Sequence, residues 1–560
     1  MNREQNLKRL RDETVDICII GAGASGAGAA LDAALRGYRV ALIDRGDISG
    51  ETSSRSTKLI HGGVRYLEQA IKKLDLAQLR QVRHGLAERR TVLRNAPHLA
   101  HPLALLTPVF SAFEGLYITI GLTLYDFIAR QDSFPKGRWL NRAQAFDKMP
   151  TLSPRTHSAV LYYDGQLNDA RYALALAHSA DEAGATVVNY VTITEFDQHN
   201  GRIETATGRD ELTGETFPIR ARLFLNCTGP YADNIRLLAN PALEQRIRPS
   251  KGVHIVLPRE TLQSDCAILI PQTADGRVVF AIPFGDNVFV GTTDDDYTDL
   301  EREPVLEPAE VDYLLNTLRP YLAKVPNKAD VRAGFGGIRP LILSSRADTK
   351  TLLRDHEVEY DPTSNLLSLL GGKWTTYRLM AQDAIDRAGE LLGKSAVSTT
   401  ETHFLVGGEN YRYEDWQTLQ NQYDLPTDVC QHLMRTYGNR ANRVAQLTQE
   451  QPYLAQKLTN GLPFLKAEVV YHVRQEMAVT LRDVLARRWR LELSNWQLTA
   501  NLAPQVASLM AVELAWSETY RDEQVVLYQS LLASFAKQAG LPVMQQEMTI
   551  TSSAGAALIR

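Results

Sequence analysis

An α/β fold wound around a parallel sheet, interleaved with an antiparallel sheet and followed by a helical domain, is the architecture this 560-residue sequence predicts. Three features carry that reading. The first is a βαβ unit near the N-terminus, where the apolar strand Asp16-Ile17-Cys18-Ile19-Ile20 runs into Gly21-Ala22-Gly23-Ala24-Ser25-Gly26. The second is a pair of further apolar strands that end in glycine turns, at residues 223–230 and 366–372. The third is a change of pattern beyond residues 404–408, where β-branched runs give way to apolar residues spaced three and four apart.

Each junction has a physical reason. Gly21 permits the tight turn, Gly23 lets the backbone approach a pyrophosphate, and Gly26 lets helix and strand pack closely. Ala24 and Ser25 lead into the small-residue helix from Ala27 to Arg36, whose N-terminal N–H groups suit phosphate oxygens. The second strand, Tyr38 to Ile43, ends on Asp44, an acceptor for ribose hydroxyls. This is the dinucleotide fingerprint of a Rossmann-like unit. Arg45 invites a 2′-phosphate, yet the acid at 44 favours an unphosphorylated ribose. The later glycine-terminated strands must lie near the same site, because ligands gather at the carboxyl ends of parallel strands. Thr228, Gly229 and Gly372 therefore join it, and a helix is expected to start near Thr375 and Thr376. The nucleotide segments are expected at about 14–100, 155–250 and 335–400. Residues of about 100–155 and 250–335 then supply a substrate sheet, with antiparallel strands at 253–257, 278–282 and 288–291. Helical spacing in Val470, Val473, Met477, Leu481, Val484 and Leu485, and in Val506, Leu509, Met510 and Leu514, places a helical domain over 405–560.

A chain this long exceeds one hydrophobic core, and its 44% hydrophobic and 22% charged residues are those of a soluble globular protein. A net charge of −4 gives no electrostatic case for nucleic acid. Cys18, Cys227, Cys266 and Cys430 are scattered, so no disulfide framework or metal site is expected, and a reducing compartment is the simplest reading. The polar N-terminus lacks the apolar stretch of a secretory signal. No run reaches the roughly 18 apolar residues of a spanning helix. The nearest is 103–128, broken by Pro108, Glu114 and Asp126 and rich in Phe110, Phe113, Leu116, Tyr117, Ile118, Ile120 and Tyr125. Two readings stand for it: a buried helix over the substrate region, or a surface that dips into a bilayer interface.

Directly after the βαβ unit comes a run (residues 50–67) of small hydroxyl residues with paired glycines, a histidine and an arginine. Such a run makes a poor core element but suits the wall of a polar cavity against a flat ligand. It resembles the flavin-contacting loop of FAD-dependent glycerol-3-phosphate dehydrogenases. The resemblance continues in residues 163–171, in Asn226-Cys227-Thr228-Gly229-Pro230, in Lys251-Gly252-Val253-His254 and in Gly291-Thr292-Thr293-Asp294. It returns in Gly337-Ile338-Arg339-Pro340-Leu341 and in residues 371–378, so it covers nearly the whole chain to about residue 380 and, more loosely, the helical C-terminus.

The resemblance implies an FAD domain of the glutathione-reductase or D-amino-acid-oxidase type. It also implies oxidation of sn-glycerol 3-phosphate to dihydroxyacetone phosphate by hydride transfer from C2, with electrons passed to a membrane quinone. Implied cofactor contacts are Arg45 of the βαβ unit, then Thr52, Ser53, Ser54, Lys58, Leu59, His61, Gly62 and Gly63 in the loop. Gly337, Gly372, Lys373 and Thr375 complete them. A phosphate dianion calls for arginine forks, and Arg65, Arg339 and Arg354 match family positions, with Tyr66 and His254 as further substrate contacts. His61 is the favoured base because imidazole titrates near 6.5, against a purely structural role. Lys373 polarises the C2 oxygen or contacts the flavin. Arg339, His61 and Lys373 form the expected catalytic set, and Arg171 is read as structural.

Departures limit the transfer. No Asp-x-Asp-x-Asp-Gly run followed by Glu occurs near the end, so calcium regulation is not carried over. The absence of a long insertion between Leu341 and Gly371 tilts the acceptor towards quinone and away from oxygen. Competing readings are a glycerophosphate oxidase, an FAD-dependent RNA-modifying protein, which the acidic balance disfavours, and a nicotinamide enzyme. The expected location is the cytoplasmic face of the cell membrane, peripherally attached, with a homodimer left open.

Overall fold

Strand Thr14–Ile20 pairs in parallel with Val40–Ile43 on one side and with Thr216–Asn226 on the other. Beyond these lie Thr186–Val188 and Leu366–Gly371, also parallel. The computed structural model describes residues 1–62, 76–129, 134–271, 273, 276–343 and 356–542. The register sets Ile20 beside Asn226, and Asn226 beside Ser368. The chain therefore leaves three adjacent strands at one carboxyl edge, through Gly21, through Thr228-Gly229 and through Gly371-Gly372. Both faces of the sheet are covered, which explains strands that are apolar throughout rather than alternating. Ile17 and Ile19 pack in the layer of helices Ala24–Leu35, Asp169–Glu182 and Tyr377–Leu392. Cys18 and Ile20 pack on the opposite face with Phe196, Phe217 and Phe224, which belong to the antiparallel meander of Val191–His199, Arg202–Asp210 and Thr216–Asn226.

The second sheet runs from Ile247–Pro258 through Asn287–Gly291, Val279–Phe284, Ala267–Ile270, Ala100–Val109 and Ser158–Leu167 to Leu59–Ile60, and Ala333–Ile342 pairs with Ile247–Pro258. It is antiparallel except where Ala267–Ile270 meets Ala100–Val109 in parallel. Two strands expected in the nucleotide segments belong here: Ser158–Leu167 and Ala333–Ile342 each ladder along their whole length with a strand of this sheet. Leu59–Ile60 also belongs here, so the loop after the βαβ unit crosses from one sheet to the other.

The C-terminal portion is helical, including Thr427–Tyr437, Ala441–Glu450, Lys466–Glu476, Trp496–Leu514 and Glu518–Gln538. The periodic run at 470–485 is not one helix. Lys466–Glu476 ends at Met477, which is left-handed at φ +53°. The Asp483 carboxylate then accepts the N–H groups of Val479 and Thr480 at 2.8 and 2.9 Å and starts a π-helical turn, Asp483–Arg488. The core is continuous across the boundary: Leu106, Val253 and Phe335 of the second sheet pack in one cluster with Leu433, Val470, Leu485 and Val506. All four cysteines are buried and free.

Residues 103–128 divide between strand Ala100–Val109 and helix Ala112–Ala129. The helix buries Leu122 and half-buries Ile118 against the second sheet. Its other face is bare: Phe113 is 81% exposed and Ile120 62%, with Leu116 and Tyr117 beside them. The fully buried helix is therefore not formed, because the sheet receives only one stripe of it. Among the described residues no helix is long and apolar enough to cross a membrane.

Candidate active site

The carboxyl edge of the parallel sheet is a cradle built from absent side chains. Gly21 has φ +103°, and a Cβ there would lie 2.7 Å from the Cys227 carbonyl oxygen. A Cβ on Gly26 would lie 1.8 Å from the Gly21 oxygen, so strand, turn and helix close up only with glycine at both places. Gly23 is extended, and its missing Cβ would lie 2.9 Å from Ser53 Oγ, which itself accepts the Ala24 N–H at 2.9 Å. Ser25 follows, half-buried in the first turn of the helix. Asp44 accepts the N–H of Ala22 at 2.6 Å and of Gly46 at 2.9 Å, one on each oxygen. Each oxygen keeps a second lone pair for a ribose hydroxyl. Burial raises this carboxyl to about 6, against the pull of the Gly46 and Ala22 N–H groups. The Arg45 guanidinium lies 4.0 Å over the Tyr231 ring and 3.9 Å from Glu51. Thr228 donates both its hydroxyl and its N–H to Asn226 Oδ1, fixing the turn into Gly229, whose φ is +57°.

One short turn, Thr52–Ser54, ties the parts together. Thr52 Oγ1 donates to the Ile338 carbonyl at 2.7 Å, the Trp374 indole N–H donates to the Ser53 carbonyl at 2.8 Å, and Ser54 Oγ donates to the Glu51 carbonyl. The βαβ turn, the strand Ala333–Ile342 and the turn after Gly371-Gly372 thus meet on it. Gly337 is needed for that approach, since a Cβ there would lie 2.9 Å from the Arg55 carbonyl oxygen. Two residues on, the Arg339 fork donates to Asp294 at 3.2 Å and to Thr292 Oγ1 and the Thr293 carbonyl at 3.0 Å. Gly252 makes room for it: a Cβ there would lie 2.4 Å from Arg339 Nη2. Lys373 is half-buried and follows two left-handed glycines, Gly371 at φ +70° and Gly372 at φ +90°. Thr375, in the next turn, is buried.

His61 and Gly62 follow the strand Leu59–Ile60. His61 is partly exposed, Leu59 is core, and Gly62 lies under Gly85 of helix Leu76–Asn95, where a Cβ would come within 3.1 Å of it. His254 is buried, stacks on Phe335 at 4.8 Å, and has its Nε2 3.2 Å from Thr57 Oγ1. Burial pushes it down to about 3, with the Lys58 and Arg339 cations adding to the shift, so the ring is neutral. Lys58 is wholly buried and its ammonium donates to Asp169 at 2.6 Å and the Ser54 carbonyl at 2.8 Å. Gly63, Arg65, Tyr66 and Arg354 lie outside the described residues. Arg171 pairs with Glu476 through both its terminal nitrogens, at 2.7 and 2.8 Å. Sequence reasoning missed Asp169, Asp294, Trp374 as an anchor, and every contribution from the helical domain. Asp169 and Asp294 do stand in runs that the resemblance singles out, whereas Arg490 carries no local signal.

Comparison with known proteins fits this geometry. The model of the FAD dependent oxidoreductase family matches residues 16–382, and that of the C-terminal domain of alpha-glycerophosphate oxidase matches 398–521. A mitochondrial glycerol-3-phosphate dehydrogenase of Bos taurus is 38% identical over 540 residues, 94% of this chain and 74% of that one. One of Arabidopsis thaliana is 37% identical over 548 residues, 93% of this chain and 86% of that one. The X-ray structure of the glycerol-3-phosphate dehydrogenase from Bacillus halodurans, complexed with FAD, aligns with a TM-score of 0.79 at 27% identity, covering 97% of this chain and 99% of that one. The cradle formed at Gly21, Gly23 and Gly26, with the Asp44 carboxylate at its end, fits FAD, and FAD is the cofactor of this enzyme. The chain belongs to the family of FAD-dependent glycerol-3-phosphate dehydrogenases.

Proposed function

We propose that this protein oxidises sn-glycerol 3-phosphate to dihydroxyacetone phosphate and passes the electrons to a membrane quinone. The observation that carries this reading is the cation of Arg339, on a strand that Thr52 ties to the turn at the dinucleotide helix. A planar guanidinium held on three sides by Asp294, Thr292 and Thr293 is pre-oriented, and its remaining N–H groups suit a phosphate oxygen. Neutral His254 behind it adds no charge of its own. The family resemblance adds Arg65, Arg354 and Tyr66 as further substrate contacts, all three outside the described residues. His61 takes the proton of the C2 hydroxyl, and Lys373 polarises the C2 oxygen. Bound FAD supplies the acceptor for the hydride that leaves C2.

The bare helix face supports the proposed location. Phe113, Leu116, Tyr117 and Ile120 stand at positions i, i+3, i+4 and i+7, a single helical stripe with the spacing of an interfacial helix. The protein attaches to the cytoplasmic face of a membrane through Ala112–Ala129, where a quinone is within reach. The test is steady-state turnover with sn-glycerol 3-phosphate and a soluble quinone under nitrogen, compared with peroxide formation in air. Faster turnover with quinone supports the reading. Peroxide formed at the quinone rate or above would favour the oxygen-reducing alternative, the chemistry for which the matched C-terminal family is named.

A further inference from the structure

We propose that Arg490 of the helical domain is a positioning residue for the flavin-binding turn, holding residues 54–58 through Asp169 and the Ser54 carbonyl. This rests on the assignment of that turn to the cofactor. Arg490 Nη1 donates to Asp169 Oδ1 at 2.8 Å, and Nη2 donates to the Ser54 carbonyl at 2.9 Å. Asp169 also accepts the Ser56 N–H at 3.0 Å, the Ser56 hydroxyl at 2.7 Å and the Lys58 ammonium at 2.6 Å. Lys58 returns to the same Ser54 carbonyl at 2.8 Å. Arg490, Asp169 and Lys58 are all buried. Arg55, between them, pairs with Glu303 at 2.7 Å, and Glu303 is held from the helical domain by Arg482.

The outcome is a turn fixed on both sides. Its inner side reaches the dinucleotide helix through Ser53, the substrate strand through Thr52 and the Gly371-Gly372 turn through Trp374. Its outer side reaches the helical domain through Arg490. Burial alone would raise the Asp169 carboxyl, but the Arg490 and Lys58 cations outweigh it and hold it below the usual carboxylate range. A buried ion cluster is seldom more stabilising than apolar residues of the same volume. Apolar residues, however, have no donor to fix the Ser54 carbonyl and no acceptor for the Ser56 N–H, and these backbone groups set where Thr52 and Ser53 point.

The domain boundary also contains a pair whose side-chain hydrogen bonds do not run to the turn, Arg171 with Glu476, and it serves as the comparison. The experiment measures, in full-length protein, FAD affinity by flavin fluorescence, anaerobic flavin reduction by sn-glycerol 3-phosphate, and the thermal midpoint. Variants are Arg490→Met, Arg490→Lys, Asp169→Asn and Arg171→Met. Arg490→Met and Asp169→Asn are expected to weaken FAD binding about tenfold or more, close to 1.4 kcal/mol, and to slow reduction by on the order of 10²-fold. Arg490→Lys should regain part of both. Arg171→Met should lower the thermal midpoint and leave FAD affinity near the parent value. The proposal is overturned if Arg490→Met binds FAD no more weakly than Arg171→Met does. Should Arg490→Met not fold, parental FAD affinity in both Arg490→Lys and Asp169→Asn overturns it, and weakened affinity in either supports it. Failure of the proposed substrate would show differently, as a parent flavin that sn-glycerol 3-phosphate does not bleach while the FAD affinities still differ.

Discussion

At Asp44 the cost of burial and the pull of two N–H groups leave a carboxyl that titrates near 6. The folded chain therefore holds a proton here that the unfolded chain has lost, between the ordinary carboxylate range and about 6. This single group lowers stability as pH rises through that window. FAD reverses the balance, because ribose hydroxyls donate more strongly to the ionised form. FAD affinity should fall as pH drops through about 6, and Asp44→Asn should flatten that profile while weakening binding at pH 7.5 about tenfold or more, at roughly 1.5–3 kcal/mol per charge-assisted bond. Fluorescence titration between pH 5 and 8 decides it, and an unaltered slope in Asp44→Asn would assign the effect elsewhere. Arg339 and His61 should separate in kinetics. Arg339→Ala loses a contact common to ground and transition states and should mainly raise KM. His61→Ala should lower the anaerobic reduction rate by about 10²–10⁴-fold. An equal rate in His61→Ala and the parent would shift the base to Lys373 or a bound water. Gly21, Gly26 and Asp44 were legible in the sequence because their constraint is local steric geometry. The stacking of Arg45 on Tyr231, the burial of His254 on Phe335 and the capture of Lys58 by Asp169 were not, because each depends on a partner far along the chain.

The elements show where pattern reading works and where it stops. Three glycine-terminated strands predicted a shared carboxyl edge, and their parallel register delivers it. The apolar spacing at 470–485 predicted helix but not its break, whose cause is one buried carboxylate capping a new turn. Strand Ala333–Ile342 belongs to the second sheet although the nucleotide segment was expected from about residue 335, and its glycines thin it so that Arg55 and Pro304 can approach. Gly26→Ala tests the turn as an element: its methyl group meets the Gly21 carbonyl, not a movable side chain. The backbone must shift, so FAD retention should be lost together with about 1–3 kcal/mol of stability; full flavin content in the purified variant would contradict this. The helix Ala112–Ala129 gives a second test. Replacing Phe113 and Ile120 together by Glu removes two exposed apolar side chains, each worth about 1.5–3 kcal/mol on full burial. Sedimentation with anionic vesicles should fall at least about tenfold, with little change in thermal midpoint because neither side chain is packed. Undiminished sedimentation would contradict attachment to a membrane through this helix.

On the scale of the whole molecule the helical domain is part of the oxidoreductase rather than an appendage. It shares a continuous apolar core with the second sheet and reaches Asp47, Asp169 and Glu303 through Arg488, Arg490 and Arg482. A chain folded this way buries several neutral histidines. Burial holds His98 and His254 down to about 3 and moves His178 and His472 in the same direction. The unfolded chain protonates these rings near 6.5 and the folded chain does not, so their contribution to stability is present above 6.5 and is lost as pH falls. Each costs up to about 1.4 kcal/mol per pH unit, so the four together exceed the opposing effect of Asp44, a single proton of the same maximum slope. Urea midpoints at pH 7.5, 6 and 5 should decline in that order, and His254→Phe should reduce the decline; a flat series would contradict it. The most direct test of the enzyme itself is anaerobic mixing of the FAD-loaded protein with sn-glycerol 3-phosphate while the visible flavin absorbance is followed. Saturable bleaching with formation of dihydroxyacetone phosphate equimolar with flavin is the expected result, and a flavin that stays oxidised at saturating substrate would contradict it.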